Sequence, residues 1–225
     1  MPIYQLPNEP FFPDPEMAEA DGLLAVGGDL SPERLLNAYA RGIFPWYSEE
    51  QPILWWSPNP RTLLFPKDFK RYKNLRRLVN SHKFQIKFDG NFAEVIEQCS
   101  YIKRKDQAGT WITGEMKVAY IDLHNLGYAH SVETYLDNEL VGGLYGISLG
   151  GAFFGESMFH LLTDASKVAL WYLVERALEW KFDFIDVQQD TSHLRSLGAV
   201  NIERKKFLSL LKESLKKETR KGSWD

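Results

Sequence analysis

The sequence predicts an α+β fold in which helices pack on a mixed, largely antiparallel sheet. Three features carry this prediction. A three-stranded meander is expected in "AHSVETYL", "ELVGGLYGISL" and "AFFGESMF", which are separated by turns at Asp137-Asn138 and Gly150-Gly151. A long helix, "ASKVALWYLVERALEW", follows with Asp164 as its N-cap. The strand "KFDFIDVQ" then returns the chain to the sheet.

Residues 1–62 are predicted to form a small N-terminal domain, because this part of the chain is rich in Pro and aromatic residues. Ser31 is expected to cap a helix, with Pro32 in its first turn and Gly42 after its end. Residues 63–225 are predicted to form the larger domain. Besides the elements above, it is expected to contain a strand at 84–88 and helices at 70–80, 91–99, 114–126, 193–197 and near the C-terminus.

This order of elements resembles the acetyltransferase-like fold of the GNAT superfamily. In that fold two central strands splay apart and leave a cleft between them. The resemblance implies that a strand of the meander and the strand after the long helix line this cleft. The side chain of Gln188, at the end of the second of these strands, would then face the cleft.

Composition favours a cytoplasmic protein without a membrane span. No run of 18 apolar residues occurs in the 225, and "MPIYQLPNEPFFPDPE" lacks the features of a secretory signal. The single Cys99 excludes an internal disulfide framework. The five histidines lack metal-ligand spacing, so no metal site is expected. "GGLYGISLGG" does not match a dinucleotide-binding loop, and neither a phosphate-binding P-loop nor a G-x-S-x-G motif is present.

Charge is unevenly distributed although the net charge is only −3. Residues 1–60 contain nine acidic and two basic side chains. Residues 67–83 contain seven basic and one acidic, and residues 203–221 contain eight basic and three acidic. Two basic patches on an acidic protein indicate a docked polyanion, or alternatively two solvated helix faces.

Polar side chains interrupt two strands that are otherwise apolar. Because side chains alternate along a strand, Asp186 and Gln188 are expected on one face with Phe184, and Ile185 and Val187 on the other. Glu156 lies in a second apolar strand, "FFGESMF". A buried carboxylate is costly unless it is paired. The pattern therefore predicts a shared polar site that binds an ammonium or guanidinium group, unless each carboxylate has a structural role.

Apolar and aromatic residues near these strands have two interpretations. They either form a pocket beside the polar site or belong to the core; the apolar candidates are Leu144, Phe153, Met158, Leu170, Leu173 and Ile185. Trp46, Trp55, Trp56 and Trp111 lie in or near predicted loops. A tryptophan there can stack on a base and contribute about 1–3 kcal/mol. For at least one of Trp55 and Trp56, core filling is the favoured interpretation.

Seven motifs span about residues 22–207 in one colinear order. They are "GLLAVGGDLSPERLLNAYARGIFPWY", "ILWWSPNPR", "GTWIT", "AYIDLHNLGYAHSVE", "LVGGLYGISLGGAFFGESMFH", "ASKVAL" and "IDVQQDTSHLRSLGA". Together they resemble the leucyl/phenylalanyl-tRNA–protein transferases of bacteria.

That resemblance implies transfer of Leu or Phe, and less well Met, from aminoacyl-tRNA to the α-amine of proteins with N-terminal Lys or Arg. The product would be marked for N-end-rule degradation. No cofactor is implied, because an aminoacyl ester is already activated. Two alternatives stay open: an acyl-CoA N-acyltransferase and a non-catalytic tRNA-binding module. The first lacks its usual pyrophosphate loop, since "LLTDASKVAL" contains no glycine.

The resemblance also implies roles for individual residues. Trp46 and Trp111 match the aromatic residues that bind the terminal adenosine of the tRNA. Glu156, Asp186 and Gln188 match the polar active-site residues. The positions that line the aminoacyl side-chain pocket correspond to Leu144, Phe153, Leu170, Leu173, Ala177 and Ile185, to which the residue pattern adds Met158. The basic residues expected to contact tRNA are Lys70, Arg71, Lys73, Arg76 and Arg77.

Overall fold

In the computed structural model, which describes residues 3–102 and 110–225, the chain forms two sheets. The N-terminal sheet contains β1 (Tyr4–Gln5), β2 (Leu23–Val26), β3 (Phe44–Pro45) and β4 (Leu54–Trp56), in the order β1-β2-β4-β3. Helix α1 (Pro32–Ala40) connects β2 to β3. As predicted, the Ser31 hydroxyl accepts a hydrogen bond from the backbone N–H of Arg34, and Gly42, with φ +72°, follows the end of the helix.

The second sheet has seven strands in the order β11-β5-β10-β9-β8-β7-β6. Their bounds are β5 (Arg61–Leu64), β6 (Gln85–Phe88), β7 (Ala129–Leu136), β8 (Glu139–Leu149), β9 (Ala152–His160), β10 (Phe184–Gln188) and β11 (Val200–Ile202). Strands β9 and β10 run parallel, and the other neighbouring pairs run antiparallel. The predicted meander is confirmed as β7, β8 and β9, and the mixed, largely antiparallel α+β fold is confirmed with it.

Six further helices cover this sheet. They are α2 (Lys73–Asn80), α3 (Phe92–Tyr101), α4 (Gly114–Asn125), α5 (Ala165–Glu179), α6 (Ser192–Ser196) and α7 (Arg204–Ser214). The sequence predicted each of them, although α2 begins three residues later than expected. Of the strands in this sheet, β5 and β11 were not predicted. None of the helices in the described residues is long and apolar enough to cross a membrane.

Asp164 occupies the predicted N-cap position of α5, but the predicted capping hydrogen bond is absent. Asp164 adopts a left-handed conformation with φ +67°, and its carboxylate instead accepts a bond from Lys167 Nζ at 2.6 Å. The connection from β9 therefore enters α5 through a left-handed turn, which moves the carboxylate away from the first free N–H groups.

The two central strands, β9 and β10, separate part-way along their length. They pair only through Phe184↔Ala152, Ile185↔Phe153 and Asp186↔Phe154. Beyond Phe154, β9 continues to His160 and pairs with β8 alone. Gln188 at the end of β10 pairs instead with Thr62 of β5. This divergence is the splayed cleft that the resemblance implied.

One buried core includes side chains from both sheets, such as Tyr39 and Trp55 of the N-terminal part and Phe154 and Phe207 of the larger part. Trp55 is fully buried, donates its indole N–H to Gly27 O and packs edge-on against Phe12. It is therefore a core residue, as favoured above for one of the paired tryptophans. The division at residue 62 stays a prediction, because the two parts share this core.

Candidate active site

Gln188 and Asp186 project from opposite faces of β10, which corrects the expectation that they share one face. The pairing of β10 with β5 shifts by one residue between Asp186 and Gln188. Gln188 has φ +61°, a left-handed conformation that reverses the direction of its side chain. Gln188 therefore lines the cleft together with Ile185 and Val187, whereas Asp186 does not.

Asp186 forms a fully buried ion pair with Arg61 of β5. Its two carboxylate oxygens accept bonds from Arg61 Nε at 2.9 and 3.0 Å and from Nη2 at 2.7 Å. The guanidinium lies between the rings of Phe44 and Phe207, at 4.7 and 4.8 Å from their centroids. Asp186 Oδ1 also accepts the backbone N–H of Gln188 at 2.9 Å. Asp186 thus stabilises the bulged backbone of Gln188 from behind the cleft, and it has no free oxygen directed at a substrate.

Glu156 lies on the cleft side, where it bonds neutral donors. Gln188 donates its Nε2–H to Glu156 Oε1 at 2.7 Å, and the Tyr120 hydroxyl donates to Oε2 at 3.0 Å. The Tyr120 hydroxyl also bonds the hydroxyl of Tyr39. A carboxylate can only accept, so the amide nitrogen of Gln188 must face Glu156. Gln188 Oε1 is left as an acceptor that no described residue bonds.

Burial raises the pKa of Glu156 to about 7. The hydroxyls of Tyr39 and Tyr120 and the amide of Gln188 lower this pKa, and the negative charge of Asp186 raises it. Burial also raises the pKa of Tyr39 and of Tyr120 well above 10, so both phenols stay protonated donors at neutral pH. A pKa near 7 allows Glu156 to gain or lose a proton near neutral pH.

A cavity of about 630 Å³ opens beside this polar group. Six of the seven residues predicted for the aminoacyl pocket line it: Leu144, Phe153, Met158, Leu170, Leu173 and Ile185. Ala177 does not line it, since this residue lies one turn further along α5 and is buried in the core. A cavity with apolar walls and convergent polar groups at one side is the usual form of a small-ligand site.

Trp46 and Trp111 both line the same cavity, and their role in binding the terminal adenosine stays a prediction. Trp46 is half-buried, and its ring packs edge-on against Trp56, with ring centroids 5.6 Å apart. Trp56 in turn donates its indole N–H to Trp46 O at 2.7 Å. The ring of Trp46 is therefore supported from behind, which suits it to stacking against a planar ligand.

The basic residues predicted to contact tRNA lie outside the cavity. Lys70, Lys73, Arg76 and Arg77 are exposed on and before α2. Arg71 is partly engaged, because it pairs with Glu175 at 2.7 Å and lies over the ring of Trp171. The segment contacts the cavity mouth through α6: Lys70 N–H bonds Leu197 O, and the Tyr72 hydroxyl bonds Ser196 O.

Sequence reasoning missed Arg61, Tyr39 and Tyr120. Arg61 and Asp186 are 125 positions apart, and no spacing pattern relates them. The available signal was chemical, since a carboxylate inside an apolar strand requires a partner. The mouth of the cavity also includes Gln189, Thr191, His193 and Leu194, which follow β10 directly.

Comparison with known proteins identifies the family. The model of the family described as leucyl/phenylalanyl-tRNA protein transferase matches residues 63–212, and the model of its N-terminal domain matches residues 28–59. The chain belongs to the leucyl/phenylalanyl-tRNA–protein transferase family. It is therefore an aminoacyltransferase, and the resemblance found in the sequence is confirmed.

Relatives with this family name match along their whole length. The chain is 52% identical to one from Syntrophobacter fumaroxidans, covering 100% of this chain and 96% of that protein. It is 53% identical to one from Myxococcus xanthus, covering 100% and 97%. Solved structures are more distant. A ribosomal-protein-alanine N-acetyltransferase from Brucella melitensis is 16% identical, covers 52% of this chain and 88% of its own, and superimposes with a TM-score of 0.37.

Proposed function

We propose that this enzyme transfers Leu or Phe, and less well Met, from aminoacyl-tRNA to the α-amine of proteins with N-terminal Lys or Arg. Acting in the cytoplasm, it would mark them for N-end-rule degradation. One observation carries the proposal: an apolar cavity large enough for these side chains includes Gln188, whose amide oxygen accepts no bond from the residues that the structure describes. An amine and an ester carbonyl can meet at that position.

In the proposed step, the neutral α-amine of the acceptor attacks the ester carbonyl. An amide C–N bond forms and the ester C–O bond to the ribose breaks. The amine loses one proton, and the departing ribose oxygen gains one to become a hydroxyl. The reaction is therefore balanced without a cofactor. No three His, Cys, Asp or Glu side chains form a metal-binding group in residues 3–102 and 110–225; a metal-free reaction stays a prediction.

Gln188 is proposed to accept a hydrogen bond from the attacking amine through Oε1. An amide oxygen is too weak a base to remove a full proton, so its contribution is alignment, which can supply several kcal/mol of the barrier. Two contacts support this role. Glu156 Oε1 fixes the direction of the Gln188 amide, and Asp186 Oδ1 fixes its backbone. Both carboxylates are therefore proposed to position Gln188.

Glu156 also has an electrostatic role in the proposal. Arg61 neutralises Asp186, whereas the partners of Glu156 in the described part of the chain, such as Tyr120 and Gln188, are neutral. Its negative charge, once ionised, attracts a cationic acceptor such as a peptide that begins with Lys or Arg. This proposal modifies the earlier interpretation that Glu156 and Asp186 bind the cation together: Asp186 is paired with Arg61 behind the cleft, so we propose that Glu156 alone attracts the cation.

The tRNA is proposed to contact the exposed side chains of α2 and of the segment before it. This surface adjoins α6, and Leu194 of α6 lines the cavity that would take the aminoacyl group. Trp46 and Trp111 are proposed to stack on the terminal adenosine at the same opening.

Transfer of labelled Leu and Phe from tRNA to a peptide that begins with Arg tests this function. The matched control is the same peptide with an acetylated N-terminus, which should accept nothing. Calorimetry with CoA should show no binding. A protein that binds tRNA but transfers neither amino acid would support the binding-module alternative.

Salt dependence tests the tRNA surface. Replacing Arg76 and Arg77 with Gln should weaken binding and reduce the slope of log K against log salt by about 1–2, because each phosphate contact releases a counterion. Replacing Lys87 and Lys181 with Gln is a control of the same charge change, because both side chains are exposed and lie outside the two basic patches. A slope that is equal in both variants would show that α2 is a solvated face.

A further inference from the structure

The last ten residues, 216–225, are docked against the protein. Thr219 accepts the backbone N–H of Gly150 on its hydroxyl, and Gly222 N–H donates to Gly127 O at 3.0 Å. The basic side chains of this segment contact the protein surface, where Lys217 Nζ bonds Asp183 at 2.6 Å and Arg220 lies over the ring of Trp180. We name residues 216–225 the C-terminal strap.

The next-to-last residue of the strap, Trp224, is buried. Trp224 is 3% exposed and stacks on His130, with centroids 3.9 Å apart and ring planes 10° apart. Asp89 Oδ2 accepts its backbone N–H at 2.9 Å, and Arg220 O accepts its indole N–H at 3.0 Å. Hydrogen bonds therefore fix both the backbone of Trp224, through Asp89, and its indole ring, through Arg220 O.

Trp224 lies directly behind a wall of the cavity. Its ring contacts that of Phe153, with centroids 5.7 Å apart, and Phe153 lines the proposed side-chain pocket. On β8, Gly146 leaves the space that the Phe153 ring occupies, since a Cβ at Gly146 would approach Phe153 Cε1 to 2.6 Å. The ring of Phe153 is thus confined on one side by a glycine and on the other by the strap.

We propose that Trp224 is a specificity-determining residue for the aminoacyl side chain. It acts through Phe153: the indole blocks retreat of the phenylalanine ring and so limits the depth of the pocket. This inference rests on the proposed function, because it assumes that the pocket takes the transferred side chain. Without the indole, Phe153 can move into the vacated space and admit larger side chains.

The test is the ratio of kcat/KM for Phe-tRNA to that for Leu-tRNA, measured with the full chain. Trp224→Ala should raise this ratio about tenfold, since a difference of one or a few methylene groups in a pocket changes discrimination about 10–200-fold. Trp224→Phe, which keeps a smaller ring, should raise it about threefold by the same reasoning. Gly222→Ala, which places a Cβ at φ +97° without a contact, should loosen the strap and shift the ratio in the same direction.

Leu6→Ala is the matched control, because Leu6 is buried in the N-terminal part and does not line the cavity. It should lower the Tm and leave the ratio unchanged. Equal loss of kcat/KM for both amino acids in Trp224→Ala would overturn the inference and leave only a structural role. If Trp224→Ala does not fold, an unchanged ratio in both milder variants overturns it. Failure of the wild-type protein to transfer either amino acid would instead reject the proposed function.

Discussion

Two buried carboxylates of the candidate active site differ in their partners: Glu156 of β9 lies on the cleft side, and Asp186 of β10 lies behind the cleft. Asp186 is 0% exposed and forms a bidentate pair with Arg61. Glu156 is 7% exposed and bonds an amide and a phenol, both neutral. Asp186 thus has its counterion behind the cleft, whereas Glu156 lies at the cavity and has no cationic partner among residues 3–102 and 110–225.

This difference in partners gives Asp186 a structural role and makes Glu156 available for chemistry. A buried carboxylate that is paired with a guanidinium stays ionised, and removing the guanidinium lowers the free energy of unfolding. A buried carboxylate with neutral donors has a raised pKa and can respond to substrate charge or pH near neutrality. Both contact Gln188, one at its backbone and the other at its side chain, so the proposed alignment of the amine depends on both environments.

Breaking the ion pair between Arg61 and Asp186 should have the largest effect, which is on the free energy of unfolding. Arg61→Leu leaves the Asp186 carboxylate buried without a countercharge, and we expect the free energy of unfolding to fall by about 3–5 kcal/mol. Urea unfolding measures this. The double variant Arg61→Leu, Asp186→Leu should recover most of the stability but not the activity, because Gln188 N–H still lacks its acceptor. Recovery of full activity in the double variant would limit Asp186 to a role in stability.

The pH dependence of the free energy of unfolding should report the raised pKa of Glu156. Its pKa is raised from 4.5 to about 7 in the folded protein, so the folded state binds the proton more tightly than the unfolded state. This contribution to stability is complete below pH 4.5 and is lost as the pH rises through 7. Glu156→Gln does not titrate, so its stability relative to the wild type should increase by about 3 kcal/mol from pH 4.5 to pH 8. A difference that stays constant with pH would contradict the raised pKa.

Shortening Gln188 should affect catalysis without comparable loss of stability. Asn tolerates a left-handed conformation, so Gln188→Asn keeps the backbone but withdraws the amide oxygen by one methylene. We expect kcat to fall about 100-fold, which corresponds to about 2.7 kcal/mol, because the amine loses its alignment. The free energy of unfolding should change by less than about 1 kcal/mol. Single-turnover transfer measures the first effect, and an unchanged rate there would exclude the proposed role of Gln188.

Much of the fold follows from local patterns. Ser31 and Pro32 begin α1, Asp137-Asn138 forms the turn between β7 and β8, and both segments have the conformations that their residues favour. The sequence motifs also identified the family, since they extend along most of the chain. Most of the pocket was predicted as well, because apolar residues of β8, β9 and α5 face the same space in this fold.

The direction of Gln188 could not be predicted. Strict alternation along β10 places it with Asp186, but the shift in pairing with β5 reverses it. That shift depends on how a strand from residues 61–64 meets β10, which is a contact between distant parts of the chain. The error on Ala177 has a related origin, since the packing angle of α5 decides which of its turns reaches the cavity.

By itself the sequence determined most of the helices and strands, the family and the set of polar residues available for chemistry, because these depend on residue types and on neighbours close in the chain. Tertiary structure alone decided how those residues are divided: Arg61 with Asp186, Glu156 with Gln188, and Trp224 behind Phe153. Each of these pairs joins positions at least 32 residues apart. Their energies depend on burial and on distances of a few ångströms, and only the packed molecule defines both.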